Sequence, residues 1–133
     1  MKRIALVAAV LAVLAGAASA GTPNVNGVYE TKISGKSPAI LNGTWLLSIA
    51  QSRAFAVARN GTTVIGGKVT IAGSRITFHD VAGPMACKSS QATGVYTWTL
   101  SGKTLKLKKV SDSCVGRATV LSSTFTWVHA PVG

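Results

Sequence analysis

Acidic residues are the scarcest charged group in this chain, with three among 133 residues: Glu30, Asp80 and Asp112. They are too few and too widely separated to indicate the carboxylate pair that general acid–base or glycoside-cleaving enzymes use. No strand–elbow motif places a serine beside His79 or His129, so a hydrolase triad is not indicated either. We therefore expect a protein that is not an enzyme and has no catalytic residues.

Cysteine is even scarcer, with Cys87 and Cys114 as the two examples. An even number of cysteines in an exported chain favours a disulfide, which by loop entropy would stabilise the fold by about 3–4 kcal/mol. The alternative is a metal site that combines both thiolates with His79 or His129. Neither a CxxC nor an HxxxH spacing supports that alternative, so we expect no metal and no cofactor.

Long apolar runs are absent after the first twenty residues. Within those twenty, Lys2-Arg3 precedes the apolar segment 4–14 and the small residues 18–20, a pattern typical of a secretory signal peptide cleaved after Ala20. A retained anchor is the alternative, but the segment is shorter than the about 20 apolar residues that a spanning helix needs. We expect residues 21–133 to form one domain, secreted or periplasmic, without a stable membrane span.

The charge of the exported part is one-sided. Without Lys2 and Arg3, twelve basic residues accompany the three acidic ones, and the net charge is +9. Such a chain attracts anionic surfaces, including phospholipid or lipopolysaccharide headgroups and acidic polysaccharides. The alternative is that the charge serves solubility and guards strand edges. The scatter of the basic residues, with no run longer than Lys108-Lys109, fits this alternative better.

Short segments of alternating apolar and polar residues fill the rest of the chain and predict strands. Tight-turn pairs such as Asn60-Gly61 and Ser101-Gly102 separate neighbouring strands, and Gly66-Gly67 predicts a bulge or a sharp bend. Helical turns are expected after Ser37, as N-cap, and at 115–121, capped by Ser111 or Asp112. The predicted strands are 27–34, 43–50, 53–59, 62–72, 75–81, 95–100, 104–110 and 124–129.

This regular spacing of short strands indicates an all-β fold. Each strand has one bulky apolar face and one face of Thr, Lys or Ala, which suits a sheet closed around its own core. We therefore expect an eight-stranded antiparallel up-and-down barrel with a short helical turn before the last strand.

The motif G-x-[WY] recurs at three predicted strand starts, at residues 27–29, 43–45 and 94–96. It resembles the strand starts of lipocalins and the wider calycin superfamily, which are barrels that open a cavity at one end. Residues 94–121 are similar to small secreted bacterial lipocalin-like domains. The matching positions are Tyr96, Trp98, Gly102, Leu105, Leu107, Asp112, Cys114, Arg117 and Leu121, followed by Trp127. The resemblance covers about residues 27–128 and implies a calycin barrel, but it carries no assigned activity.

Large aromatic side chains supply the candidate ligand site. They can line a cavity for an apolar or aromatic molecule, or they can fill a barrel that has room for its own side chains or one small ligand. Arg53 and Arg59 lie at alternate positions with Phe55 and so share its face of the strand. At the barrel rims they can bind a ligand carboxylate or phosphate; alternatively they are solvated. The candidate ligand-binding residues are Trp45, Phe55, Tyr96, Trp98, Phe125, Trp127, Arg53 and Arg59. We expect Trp45, Trp98 and Trp127 to be buried on the inner face.

Arg117 is expected to have a structural role. The calycin resemblance implies that its guanidinium lies across an aromatic ring near one barrel end, with Trp45 as the partner. The alternative is an exposed, anion-binding arginine beside Lys108 and Lys109.

The function expected first is a secreted or periplasmic lipocalin-like barrel that binds a small apolar ligand, with or without an anionic group. One alternative is a protein-interaction module, such as a periplasmic protease inhibitor, that acts through residues 21–26 or the loop 82–93. Another is a binder of anionic envelope polymers. Nucleic acid is not an expected partner, because the aromatic residues lie in the interior phase of the strands. The pattern indicates no particular oligomeric state.

Overall fold

The computed structural model describes residues 24–129, so the predicted signal peptide and its cleavage site lie outside the described residues. Eight strands follow one another around a closed barrel, each antiparallel to its neighbours, and the first strand pairs with the last. The predicted antiparallel up-and-down barrel is confirmed. Its strands are β1 (Gly27–Ile33), β2 (Gly43–Ala50), β3 (Ala54–Arg59), β4 (Thr62–Ala72), β5 (Arg75–Ala82), β6 (Thr93–Ser101), β7 (Thr104–Ser111) and β8 (Thr124–His129).

One short helix, α1 (Val115–Leu121), precedes β8, as predicted. Its N-cap is Cys114 rather than Ser111 or Asp112. The Asp112 carboxylate accepts the backbone N–H of Cys114 and so turns the chain just before the helix begins. Among the described residues, no helix is long and apolar enough to cross a membrane.

The two ends of the barrel are built differently. One end, called the helical end here, carries α1 and the loops with two 3₁₀ turns, Ala39–Leu41 and Ser89–Gln91. The N-cap of the first turn is Pro38, one residue later than the predicted Ser37, and no side chain caps it. Short hairpin turns close the opposite end, between β2 and β3, β4 and β5, and β6 and β7.

Strand β4 bends at Gly66-Gly67, where its register with β5 shifts, so the predicted bulge is confirmed. A Cβ atom on Gly67 would overlap the carbonyl oxygen of His79 and lie 2.7 Å from the Phe55 ring. A side chain at this position would therefore force the neighbouring strand and ring to move. The glycine permits the sharp local twist that a closed sheet needs.

Aromatic side chains fill the middle of the barrel. The Phe78 ring lies between Phe55 and Tyr96, with ring centroids 5.0 and 5.8 Å apart and both pairs close to edge-to-face, an arrangement that aromatic rings prefer. Tyr29 and Phe125 are also fully buried. The sequence is compatible with aromatic residues that either line a cavity or fill the barrel. In the middle of the barrel the structure shows that they fill it.

The three tryptophans differ in burial. Trp45 and Trp98 are buried, as expected, and the Trp98 indole donates to the carbonyl oxygen of Gly73 at the opposite end. Trp127 is only partly buried and lies 5.7 Å from the Lys103 ammonium. The expectation of full burial is wrong for Trp127, because the ring lies near the end of β8, beside Lys103 of the β6–β7 hairpin.

Trp98→Ala should lower the free energy of unfolding by about 3–5 kcal/mol, because it removes a buried ring and leaves the Gly73 carbonyl without its donor. Trp98→Phe keeps most of the ring volume, so its loss should be smaller than that of the alanine variant. Urea unfolding followed by far-ultraviolet circular dichroism measures both. A loss below about 1 kcal/mol for the alanine variant, with the fold unchanged, would contradict a core role.

Candidate functional site

Three charged residues from distant parts of the chain meet at the helical end. Asp80 lies on β5, Asp112 follows β7, and Arg117 lies on α1. The side chain of Arg117 is 2% exposed, and both carboxylates are fully buried. Two of the three acidic residues of the chain therefore lie inside the fold, around one guanidinium.

The Arg117 guanidinium contacts both carboxylates and two backbone carbonyls. Nε and Nη2 donate to Asp112 over 2.8 and 2.7 Å, and Nη1 lies 3.0 Å from Asp80 Oδ1. Nη1 and Nη2 also donate to the carbonyl oxygens of Ala92 and Gln91. A planar fork with five N–H donors can serve all these acceptors at once, whereas a lysine ammonium cannot.

The two carboxylates also hold the cysteines. Asp80 Oδ2 accepts the backbone N–H of Cys87 over 2.8 Å, and Asp112 Oδ1 accepts that of Cys114 over 2.9 Å. Cys87 and Cys114 form a disulfide, with Cα atoms 6.3 Å apart, so this prediction is confirmed. Because the two sulfurs are bonded to each other, neither is a thiolate that could bind a metal. Within residues 24–129, no group of three or more His, Cys, Asp or Glu side chains could hold a metal ion.

Burial and hydrogen bonding shift the protonation of the cluster. Burial alone would raise the pKa of Asp112, but hydrogen bonds from Arg117, Tyr96 and the Cys114 amide outweigh it and hold that pKa below its usual 3.8. Burial, and then the hydrogen bond to Asp112, raise the pKa of the Tyr96 hydroxyl, which therefore stays a donor. Burial would lower the pKa of Arg117, but the two carboxylates outweigh this effect and raise it. The guanidinium therefore stays charged, and the two carboxylates balance its charge.

Gly94 makes room for this cluster. A Cβ atom there would lie 2.5 Å from Asp112 Oδ2 and 3.0 Å from Arg117 Nη2, so a larger residue would displace the carboxylate. Gly94 begins the third G-x-[WY] motif, whose Tyr96 donates its hydroxyl to the same carboxylate. The motif thus supports a buried ion cluster here, a role that the sequence analysis missed.

A cavity of about 270 Å³ lies between α1 and the end of the barrel. Strands β2, β3 and β4 each contribute apolar side chains to its wall. The loop before β6, α1 and the disulfide form the rest, and Arg117 and Gln91 add polar edges. The apolar part of the wall includes Trp45, Val57, Ile65, Met85, Val120 and Leu121. The volume lies between the about 150 Å³ of an engineered cavity that binds benzene and the drug-sized pockets of about 300–1,000 Å³.

The eight candidate ligand residues are spread over the whole barrel. Trp45 lines the cavity, and the Arg59 guanidinium lies 6.0 Å from the centroid of the Trp45 ring. Arg53 is exposed in the turn before β3, at the opposite end, and the strand begins one residue later than predicted. The remaining aromatic candidates lie in the filled core or toward the opposite end: Phe55, Tyr96, Phe125, Trp98 and Trp127.

Arg117 has other partners than the one that the resemblance implied. Its guanidinium is bound by carboxylates, and the cation that lies over Trp45 is Arg59, whose Nε also donates to the carbonyl oxygen of Asn42. The exposed alternative is wrong as well, because Arg117 is buried. A buried guanidinium needs opposite charge and hydrogen bonds, which are stronger than contact with a ring.

No protein-family model matches this chain, and neither a curated protein nor a solved structure is significantly similar to it. The interpretation of the cavity accordingly depends on its geometry and chemistry.

Asp112→Asn should lower the free energy of unfolding at pH 7 by about 3–5 kcal/mol, because the buried guanidinium loses its main counter-ion. The folded protein holds the pKa of Asp112 below 3.8. The stabilisation is therefore present above about pH 4 and is lost as the pH falls through the folded pKa. Urea unfolding between neutral and strongly acidic pH measures this dependence, which should be weaker in the variant.

Glu30→Gln is the matched control, because it removes the one acidic side chain outside the cluster. It should change the free energy of unfolding by no more than about 0.5 kcal/mol at pH 7. An Asp112→Asn protein that is as stable as the wild type at pH 7, and loses stability as steeply in acid, would contradict the assignment.

Proposed function

We propose that this protein is an exported lipocalin-like barrel of the calycin type, and that it binds a small apolar molecule in the cavity between α1 and the barrel end. The cavity is the observation that carries the proposal. It provides about 270 Å³ of mostly apolar-lined space directly beside an interior that side chains otherwise fill. Concave, mostly apolar sites with a few polar groups are the usual form of small-molecule sites.

The size and polarity of the cavity restrict the ligand. Its volume suits a molecule larger than a single benzene ring and smaller than most drug-sized ligands. The charge of Arg117 is balanced by its two carboxylates, so the ligand needs no charge of its own at that wall. An anionic group on the ligand would instead be directed toward Arg59, beside the Trp45 ring.

The segments that cover the cavity are joined to each other. The disulfide links the loop before β6 to the N-terminus of α1, and Arg117 of α1 bonds the carbonyl oxygens of Gln91 and Ala92 at the end of that loop. Both segments therefore act as one cover over the apolar space. A cover joined in this way keeps the apolar space in a preformed shape.

Residues 24–26, the described part of the N-terminal arm, lie against the barrel. Val25 is buried, and its carbonyl oxygen accepts the Tyr29 hydroxyl over 2.9 Å. An inhibitor that acts through its arm would need this segment to project toward a protease. The described geometry supports a small-molecule site better than an interaction arm.

Val120→Phe should weaken binding of the fluorescent probe N-phenyl-1-naphthylamine at least about tenfold, because the added ring fills the proposed site. Val69→Phe is the matched control. Both valines are 4% exposed, but Val69 lies in the filled part of the barrel rather than at the cavity. The control should lose about 1–3 kcal/mol of stability by overpacking and still bind the probe as the wild type does.

Fluorescence titration gives the affinities, and urea unfolding gives the stabilities. Unchanged binding by Val120→Phe would contradict the proposed site. Equal loss of binding in both variants would contradict it as well, since binding would then follow general packing. Native mass spectrometry of the protein exported by its own host can identify a ligand that co-purifies.

A further inference from the structure

Large exposed hydrophobic residues gather at the helical end. In the described part of the chain they are Ile40, Val81, Val110, Val115 and Val128. The first four lie in the 3₁₀ turn, at the ends of β5 and β7, and at the start of α1, which are all at the helical end; Val128 lies toward the opposite end, in β8. Their distribution is therefore strongly one-sided.

Ile40 and Val115 form the centre of this apolar group. They are 48% and 76% exposed. Their chain neighbours meet, since a Cβ atom on Gly116 would lie 3.7 Å from Leu41 Cδ2. The 3₁₀ turn and the start of α1 are therefore adjacent, and each presents one apolar side chain to solvent.

Lysines border the same surface, and free carboxylates do not. Lys36, Lys109 and Val115 line one depression beside α1. Asp112 also lines it, but its carboxylate is paired with Arg117. Lys88 lies in the loop at this end. Within residues 24–129, two of the three acidic side chains are buried against Arg117. The third, Glu30, lies within β1 opposite Leu46 and Thr126, away from this depression.

We propose that the helical end docks on an anionic lipid membrane. Apolar side chains that enter the interface, bordered by lysines that attract anionic headgroups, are the features by which proteins bind such surfaces without spanning them. An acidic polysaccharide would use the lysines but would gain nothing from Ile40 and Val115. Charge complementarity and the exposed apolar centre together favour lipid.

The docking surface is continuous with the cavity. Val115 belongs both to the depression that holds the two lysines and to the wall of the cavity. A membrane in contact with this surface would therefore lie beside the site where an apolar ligand binds. Docking itself needs no ligand, so it is tested separately from the proposed function.

Co-sedimentation with vesicles tests the proposal, using phosphatidylcholine alone or mixed with phosphatidylglycerol at about 0.1 M salt. The wild type should bind the mixed vesicles and not phosphatidylcholine alone. Lys36→Gln combined with Lys109→Gln should weaken binding about 25-fold, since each lysine near an anionic surface contributes about fivefold. Arg53→Gln combined with Arg75→Gln removes the same charge from the opposite end and should weaken binding less than fivefold.

Val115→Asp tests the apolar centre, with Val128→Asp as the matched control. An aspartate in the first turn of a helix is compatible with α1, so the fold should persist, as circular dichroism would show. Val115→Asp should weaken vesicle binding at least about fivefold, because it removes an apolar contact and adds a repelled charge. Val128→Asp should bind nearly as the wild type does.

Three results would overturn the proposal: no binding of the wild type to anionic vesicles, equal binding to phosphatidylcholine, or equal losses in both double variants. The last would show that overall charge is responsible, as expected for a polymer binder. A protein that binds the naphthylamine probe but not vesicles would overturn docking and leave the cavity proposal intact. A protein that binds vesicles but not the probe would overturn the cavity proposal and leave the docking proposal intact.

Discussion

The helical end of this barrel depends on the burial of one guanidinium between two carboxylates. A buried charge without partners is strongly unfavourable, so Arg117 can lie here only because Asp80 and Asp112 reach it from β5 and from the segment after β7. Their remaining lone pairs accept the amides of Cys87 and Cys114. One ion cluster therefore joins two strands, the helix, the long loop and the disulfide.

Such a cluster contributes more by fixing the positions of the segments that it joins than by adding net stability. Replacing a buried ion pair by well-packed apolar residues is often neutral or stabilising, whereas removing one partner is strongly destabilising. The fork geometry of Arg117 fixes where α1 lies against the loop that ends at Gln91 and Ala92. Because the cover is held at that position, it does not collapse onto the barrel, and the apolar cavity remains open beneath it.

The same cluster explains the surface charge. The chain has fourteen basic and three acidic residues, and the cluster removes two of the acidic ones and Arg117 from the surface. Among the residues that the structure describes, eleven basic side chains then remain with Glu30 as the one acidic side chain outside the cluster. Because the chain has few acidic residues and two of them are buried, the charged groups on the described surface are almost all cationic.

Local patterns in the sequence predicted the barrel because the information for it is local. Alternation and turn pairs determine a hairpin such as β6–β7, and Gly66-Gly67 determines a bulge from two residues. The disulfide followed from a count of two cysteines in a chain that the sequence predicts to be exported. These features need no knowledge of which distant segments meet.

The site depends on contacts between distant segments, which local patterns in the sequence do not show. Asp80 and Asp112 looked like scattered acids, because only the closed strand order brings them to one guanidinium. The strand phase of Arg53 suggested a rim position near a ligand, but the cavity formed at the other end, where α1 covers the barrel. The depth of a ring such as Trp127 likewise depends on where the barrel rim lies.

Amide hydrogen exchange in an Asp80→Asn variant tests most directly whether the cluster holds the cover on the barrel. The substitution keeps the shape of the side chain and removes one of the two negative charges beside the Arg117 guanidinium. The amides of Cys87, Ala118 and Ser122 in the cover should exchange at least about tenfold faster, whereas the amide of Trp98, bonded to Ser74 in the opposite half, should keep its wild-type rate. Equal acceleration throughout the barrel, or none in the cover, would contradict the account.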